Sequence, residues 1–154
     1  MAETLRGFAA SATAVLGDDL LGLYVNGSLT MGDFHPASSD IDFLAVTSRP
    51  LNEGDLSGIA GVHADLARKP FGDRLEGSYA AAGRLRPWGI EGHLVSVEPG
   101  TQPTLGPGAY SADNMWALRN TSVALMGAPP ESIMPDVDEK TQGRNRSGGG
   151  RERP

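Results

Sequence analysis

The chain has 154 residues, no cysteine and a formal net charge of −6. This length fits one ordinary domain, and the lack of cysteine excludes disulfides and thiolate metal sites, as suits a reducing cytoplasm. Residues 1–137 hold 8 Lys/Arg against 16 Asp/Glu, an acidic body that repels a DNA duplex and attracts cationic small molecules.

The N-terminus, Met1-Ala-Glu-Thr-Leu-Arg, lacks the basic region and apolar run of a signal peptide. No apolar segment approaches the roughly 18 residues of a membrane span. The expectation is a soluble cytoplasmic protein with no membrane partner. Apolar residues at Leu5, Phe8, Ala9, Ala12, Val15 and Leu16 predict an amphipathic helix over 4–16, stopped by Gly17. Leu20–Val25 and Ile41–Val46 read as buried strands. Helical spacing returns over Ser57–Ala67, weakened by Gly58 and Gly61. Strands are expected at Arg74–Ala82 and His93–Val97, then a helix at Asp113–Arg119 with Ser111 as its N-cap, then a strand at Ser122–Met126. This order describes an α/β (α+β) domain over 1–137, a mixed β-sheet with helices packed on it. Residues 138–154 contain no large apolar side chain and read as a disordered Gly/Arg-rich tail.

One stretch carries the chemistry. A strand delivers Gly27-Ser28 at a turn, eleven residues follow, and Asp40-Ile41-Asp42 opens the next strand. Strand alternation aims Asp40 and Asp42 to one face and Ile41 to the other. Two adjacent carboxylates repel unless a cation lies between them. Such hard oxygen ligands suit Mg²⁺, which takes its remaining ligands from water and phosphates. Gly27 lets the backbone approach a triphosphate, and Ser28 offers a hydroxyl and N–H groups to phosphate oxygens. Asp33 and His35 lie in the intervening loop, where simple polarity accounts for them equally well. His93 reads as a packed strand histidine and Trp116 as a core residue.

Gly-Ser, a gap of about a dozen residues, and Asp-x-Asp resembles the signature of polymerase-β-type nucleotidyltransferases. The wording Gly-Asp-Phe-His-Pro-Ala-Ser-Ser-Asp-Ile-Asp is most similar to the streptomycin/spectinomycin type of aminoglycoside adenylyltransferase. Arg119-Asn-Thr-Ser-Val-Ala-Leu-Met-Gly-Ala-Pro-Pro130 resembles the segment that closes the family's catalytic domain. The resemblance implies that Asp40 and Asp42 bind Mg²⁺ and, with Gly27 and Ser28, the nucleotide, with ATP as the substrate. It also implies a third carboxylate as general base on a neighbouring strand. Glu76 is the best match, with Glu91 and Glu98 as competitors nearer loops. The implied reaction is transfer of AMP to a hydroxyl of a small acceptor such as a cationic aminoglycoside, hence antibiotic resistance. The family also carries a helical domain for which no sequence remains here. Two other readings therefore stay open: a minimal nucleotidyltransferase of a toxin–antitoxin-like pair acting on a helical protein partner, and an inactive nucleotide-binding fragment.

Overall fold

The computed structural model describes residues 1–138 apart from 28, 29, 31 and 33. Ser28, Asp33 and the tail after Asp138 therefore lie outside the described residues.

Among the described residues four α-helices, α1 (Ala2–Leu16), α2 (Glu53–Leu66), α3 (Ala112–Thr121) and α4 (Pro130–Ile133), pack on a mixed six-stranded sheet. The sheet is built from β1 (Leu20–Asn26), β2 (Ile41–Thr47), β3 (Leu75–Ala81), β6 (His93–Val97), β7 (Thr104–Pro107) and β8 (Val123–Gly127), in the order β7-β6-β3-β2-β1-β8. A two-stranded ribbon, β4 (Leu85–Arg86) and β5 (Gly89–Ile90), stands apart. β2 and β3 run parallel, with α2 as the crossover, and the other neighbours are antiparallel. No helix among the described residues is long and apolar enough to cross a membrane.

Strand alternation divides the core in two. Leu23, Val25, Ile41, Phe43, Ala45, Tyr79 and Val95 meet α1 and α2 through Leu5, Phe8, Ile59 and Val62. Tyr24, Leu44, Val46, Ala80 and Leu94 meet α3 and α4 through Met115, Leu118 and Met134. Even-numbered positions of β2, β3 and β6, and of β1 after the bulge that follows Leu20, thus face α3, which fixes the direction of the polar residues there.

α1 follows its apolar spacing and ends at Gly17, whose φ of 58° a side chain rarely adopts. α2 begins four residues before the expected Ser57, because Asn52 and Asp55 form a reciprocal capping box. Gly58, which weakens the helix locally, abuts Val15 of α1: a Cβ there would lie 2.6 Å from Val15 Cγ1. The glycine is the contact at which the two helices close on each other. Ser111 caps α3 as expected, in a second box with Asn114. The strands β4, β5 and β7 were not anticipated, since their Gly- and Pro-rich segments carry neither an apolar run nor alternation.

Beneath the sheet on the α1–α2 side, His63 of α2 is buried in an aromatic cluster. Its ring stacks on Phe43 at 5.7 Å and meets Phe8 edge-on at 5.2 Å. Its Nε2 shares a 2.8 Å hydrogen bond with the Tyr79 hydroxyl. Burial lowers the His63 pKa to about 4, from the usual 6.5, and raises that of Tyr79, so both stay neutral at pH 7.

Candidate active site

β1 ends where β2 and β3 begin, and at that end four adjacent strands place a polar residue on the α3 face. Asn26 is opposite Asp42, and Asp42 is opposite Glu76. Glu76 and Glu98 each lie one residue beyond the pair Gly77–Val97. The result is a row, Asn26–Asp42–Glu76–Glu98, with neighbours roughly 5 Å apart as strand spacing requires. One step inward Ser78 is paired with Ser96, where the face would otherwise continue apolar. Tyr110 donates a hydrogen bond to Ser78 Oγ at 3.2 Å. These small polar residues leave a cleft of about 500 Å³ between the sheet and α3, walled on the helix side by Asn114, Ala117 and Thr121. That volume is in the ordinary range for a small-molecule site.

Asp40 lies just before β2, outside the strand proper, and is exposed, whereas Asp42 is half-buried. Strand alternation therefore reaches Asp40 only approximately, yet its carboxyl faces the others. It stands within hydrogen-bonding reach of Glu76. The Asp42 pKa is raised, first by burial and then by the charge of Asp40. That of Glu76 is raised by burial, by the hydrogen bond with Asp40, and by the charges of Asp40, Asp42 and Glu98. Negative charge is crowded here beyond what the place holds without a proton or a cation.

That crowding tests the site for Mg²⁺. No three His, Cys, Asp or Glu side chains form a closed metal cage among the described residues. Mg²⁺ does not need one, since one or two carboxylates plus water and substrate phosphates complete its shell. The pair Asp40 and Asp42 fits that donor set.

Gly27 turns the chain over this site with φ of 76°. A Cβ there would lie 2.1 Å from Asp42 Oδ2. The glycine therefore holds the backbone against the carboxylate while leaving the carboxylate in place. Gly27→Ala is expected to displace Asp42 and to strain the turn by about 1–2 kcal/mol. Denaturant titration of the variant should show only this modest loss of stability.

The structure thus brings Gly27, Asp40, Asp42 and Glu76 together. Glu98, weighed only as a competitor to Glu76, joins their row, whereas Glu91 pairs with Arg86 at 3.4 Å on the β4–β5 ribbon. Neither Arg74 nor Arg84 pairs with Glu76: Arg74 lies over the Phe71 ring and Arg84 over Gly92. His93 is exposed, not packed. Trp116 is partly buried against the α3-side core, near the core reading of the sequence. Asn26, Ser78, Ser96 and Tyr110 escaped the sequence reading. For Asn26, Ser78 and Ser96 strand alternation gave the face but not the neighbours, and Tyr110, in the connection before α3, had no such signal.

No family model matches the chain, and no curated protein matches it by sequence. Among solved structures it is similar to spectinomycin adenyltransferase AAD(9) from Enterococcus faecialis, determined with ATP and spectinomycin. The TM-score is 0.73 at 19% identity, over 97% of this chain and 66% of that one, just under two thirds of its length. A toxin–antitoxin complex with AMP-PNP gives 0.44 at 12% identity, over 95% of this chain and 87% of that one, a score too low to carry an argument. The first likeness establishes the fold alone: this chain is a mixed α+β domain that shares the fold of that adenyltransferase over the matched length.

Proposed function

We propose that this chain transfers a nucleoside monophosphate, AMP from ATP, to a hydroxyl of a small acceptor of the aminoglycoside kind. The observation that carries the reading is the juxtaposition of three carboxyls with a glycine turn. Asp42 and Glu76 are paired across β2 and β3, Asp40 meets Glu76, and Gly27 abuts Asp42. The fold shared with a spectinomycin adenyltransferase supports ATP and a hydroxylated acceptor as the reactants.

In this reading Asp40 and Asp42 hold Mg²⁺, which when bound offsets charge on the phosphates. Gly27 and Ser28 offer backbone to the triphosphate. Glu76 accepts the proton of the acceptor hydroxyl. Its raised pKa makes it a stronger base than an ordinary carboxylate once ionised. The acceptor oxygen bonds to the α-phosphorus as the bond to pyrophosphate breaks. Ser78, Ser96 and Tyr110 line the floor on which the acceptor rests. The acidic row favours an acceptor bearing positive charge.

The test is to incubate the full chain with each labelled nucleoside triphosphate, Mg²⁺ and a panel of aminoglycosides that includes spectinomycin. Label transfer from ATP to at least one acceptor is expected. Absence both of transfer and of Mg²⁺-dependent nucleotide binding would remove the reading.

A further inference from the structure

The cleft has a charge imbalance that its own lining does not resolve. Asp42, Glu76 and Glu98 face it, and no Lys or Arg lines it among the described residues. A triphosphate entering this space brings more negative charge, and one Mg²⁺ offsets only part of the total. A protein cation within reach of the phosphates would complete the balance.

One guanidinium is placed for it. Arg74 precedes β3, and Leu75 is paired with Ile41, so Arg74 and Asp40 are the next residues outward on two adjacent strands. Their backbones are therefore about 5 Å apart, and an arginine side chain spans a similar distance again. The Arg74 Nη1 is buried and has no hydrogen-bond partner among the described residues. An unmatched buried donor costs free energy unless a partner arrives. The guanidinium stacks over the Phe71 ring, 5.2 Å from its centroid. The Arg74 N–H donates to the Phe71 carbonyl at 3.1 Å, closing a tight turn under the stack. Phe71 has φ of 66°, the one non-glycine residue with positive φ among the described residues. Strain of this kind persists where surrounding structure holds it, and it concentrates at functional sites. Phe71 in turn touches Phe34, 6.2 Å between ring centroids, on the loop that leads to Asp40. A residue of positive φ thus holds a guanidinium with one donor unpartnered among the described residues, its backbone on the strand position next to Asp40.

We propose that Arg74 binds the β- and γ-phosphates of the nucleoside triphosphate and releases with pyrophosphate, its Nη1 donating to a phosphate oxygen. The assignment rests on the nucleotidyltransferase reading above. A planar guanidinium with free donors matches phosphate geometry better than an ammonium.

The experiment compares Mg²⁺–ATP, Mg²⁺–pyrophosphate and AMP as probes of the full chain by titration calorimetry, for the wild type, Arg74→Gln and Arg74→Lys. Arg74→Gln should weaken ATP and pyrophosphate about tenfold or more and leave AMP within about twofold, since AMP lacks the β- and γ-phosphates. Arg74→Lys should recover part of the loss. ATP and pyrophosphate should also show a shallower dependence on salt in Arg74→Gln. A variant with unaltered melting temperature that binds all three probes as the wild type does would overturn the assignment and leave the nucleotidyltransferase reading intact. Equal weakening of all three would also overturn it, marking Arg74 as purely structural. A wild type that binds neither ATP nor pyrophosphate would overturn both.

Discussion

Glu76→Gln should lower nucleotide transfer by about 10²–10⁴-fold, the usual range for loss of a general base, while Mg²⁺-dependent nucleotide binding persists. Asp42→Asn, and equally Asp40→Asn, should remove binding and transfer together. The difference follows from position. Asp42 lies between Gly27, which it touches, and Glu76, its partner across β2 and β3, so it can hold a cation against phosphates bound at the turn. Glu76 is one strand further from the turn, between that pair and the cleft over Ser78. The amide in Glu76→Gln keeps the size of the side chain and relieves like-charge crowding, so binding has no cause to fall. Single-turnover rates and calorimetry separate the two. If Glu76→Gln loses nucleotide binding as fully as Asp42→Asn, Glu76 is a metal ligand and the base lies elsewhere, with Glu98 the next candidate. If Asp42→Asn transfers at the wild-type rate, the metal assignment fails.

Acidification should destabilise the fold through His63, which is buried in the core. Its pKa falls from 6.5 in the unfolded chain to about 4 in the folded one because burial disfavours the imidazolium. A group held neutral in this way contributes stability that is present above pH 6.5 and is lost as the pH falls through the interval down to about 4. The loss across that interval is about 3 kcal/mol. Asp42 and Glu76 act in the opposite sense: their raised pKa values add stability as the pH falls and they gain protons. The His63 contribution is therefore isolated by difference. Denaturant titration of the wild type and of His63→Phe at pH 7 and pH 4 leaves the carboxyl contribution common to both. The variant should lose about 3 kcal/mol less than the wild type on acidification, although at pH 7 it is weaker by about 1 kcal/mol for want of the Tyr79 hydrogen bond. Equal losses in the two proteins would show that His63 takes up its proton without penalty.

The central strands were legible because they are buried on both faces and so appear as apolar runs: Leu20–Val25 and Ile41–Val46 match β1 and β2 within a residue. The edge strand β7 is held by pairing more than by burial, and the β4–β5 ribbon buries only the separate Leu85 and Ile90, so neither leaves a run or an alternation in the sequence. α2 was misplaced at its start because its first turn, Glu-Gly-Asp, is polar and is specified by the Asn52–Asp55 cap. At the site, Gly27, Asp40 and Asp42 are close in sequence, so spacing alone exposed them. Glu76 required the family resemblance to single it out. Glu98, Ser78, Ser96 and Tyr110 are brought to it by the order of strands β6-β3-β2-β1, which no local pattern contains. In the sequence Arg74, like Arg84, offered only an alternative ion-pair partner for Glu76. Its stacking on Phe71 depends on a left-handed residue that sequence does not announce.

The carboxyl row also bears on how such a chain drifts. At neutral pH the ionised Asp42 and Glu76 work against the folded state, since each is held above its ordinary pKa by burial and by its neighbours. An amide at either position would relieve that opposition at no loss of size. A lineage released from the site's purpose would thus find replacements there favoured, not merely tolerated, because most chains persist only a little above the stability they require. Asp42 and Glu76 are thus two positions at which the ionised residue is not the most stable choice for the fold.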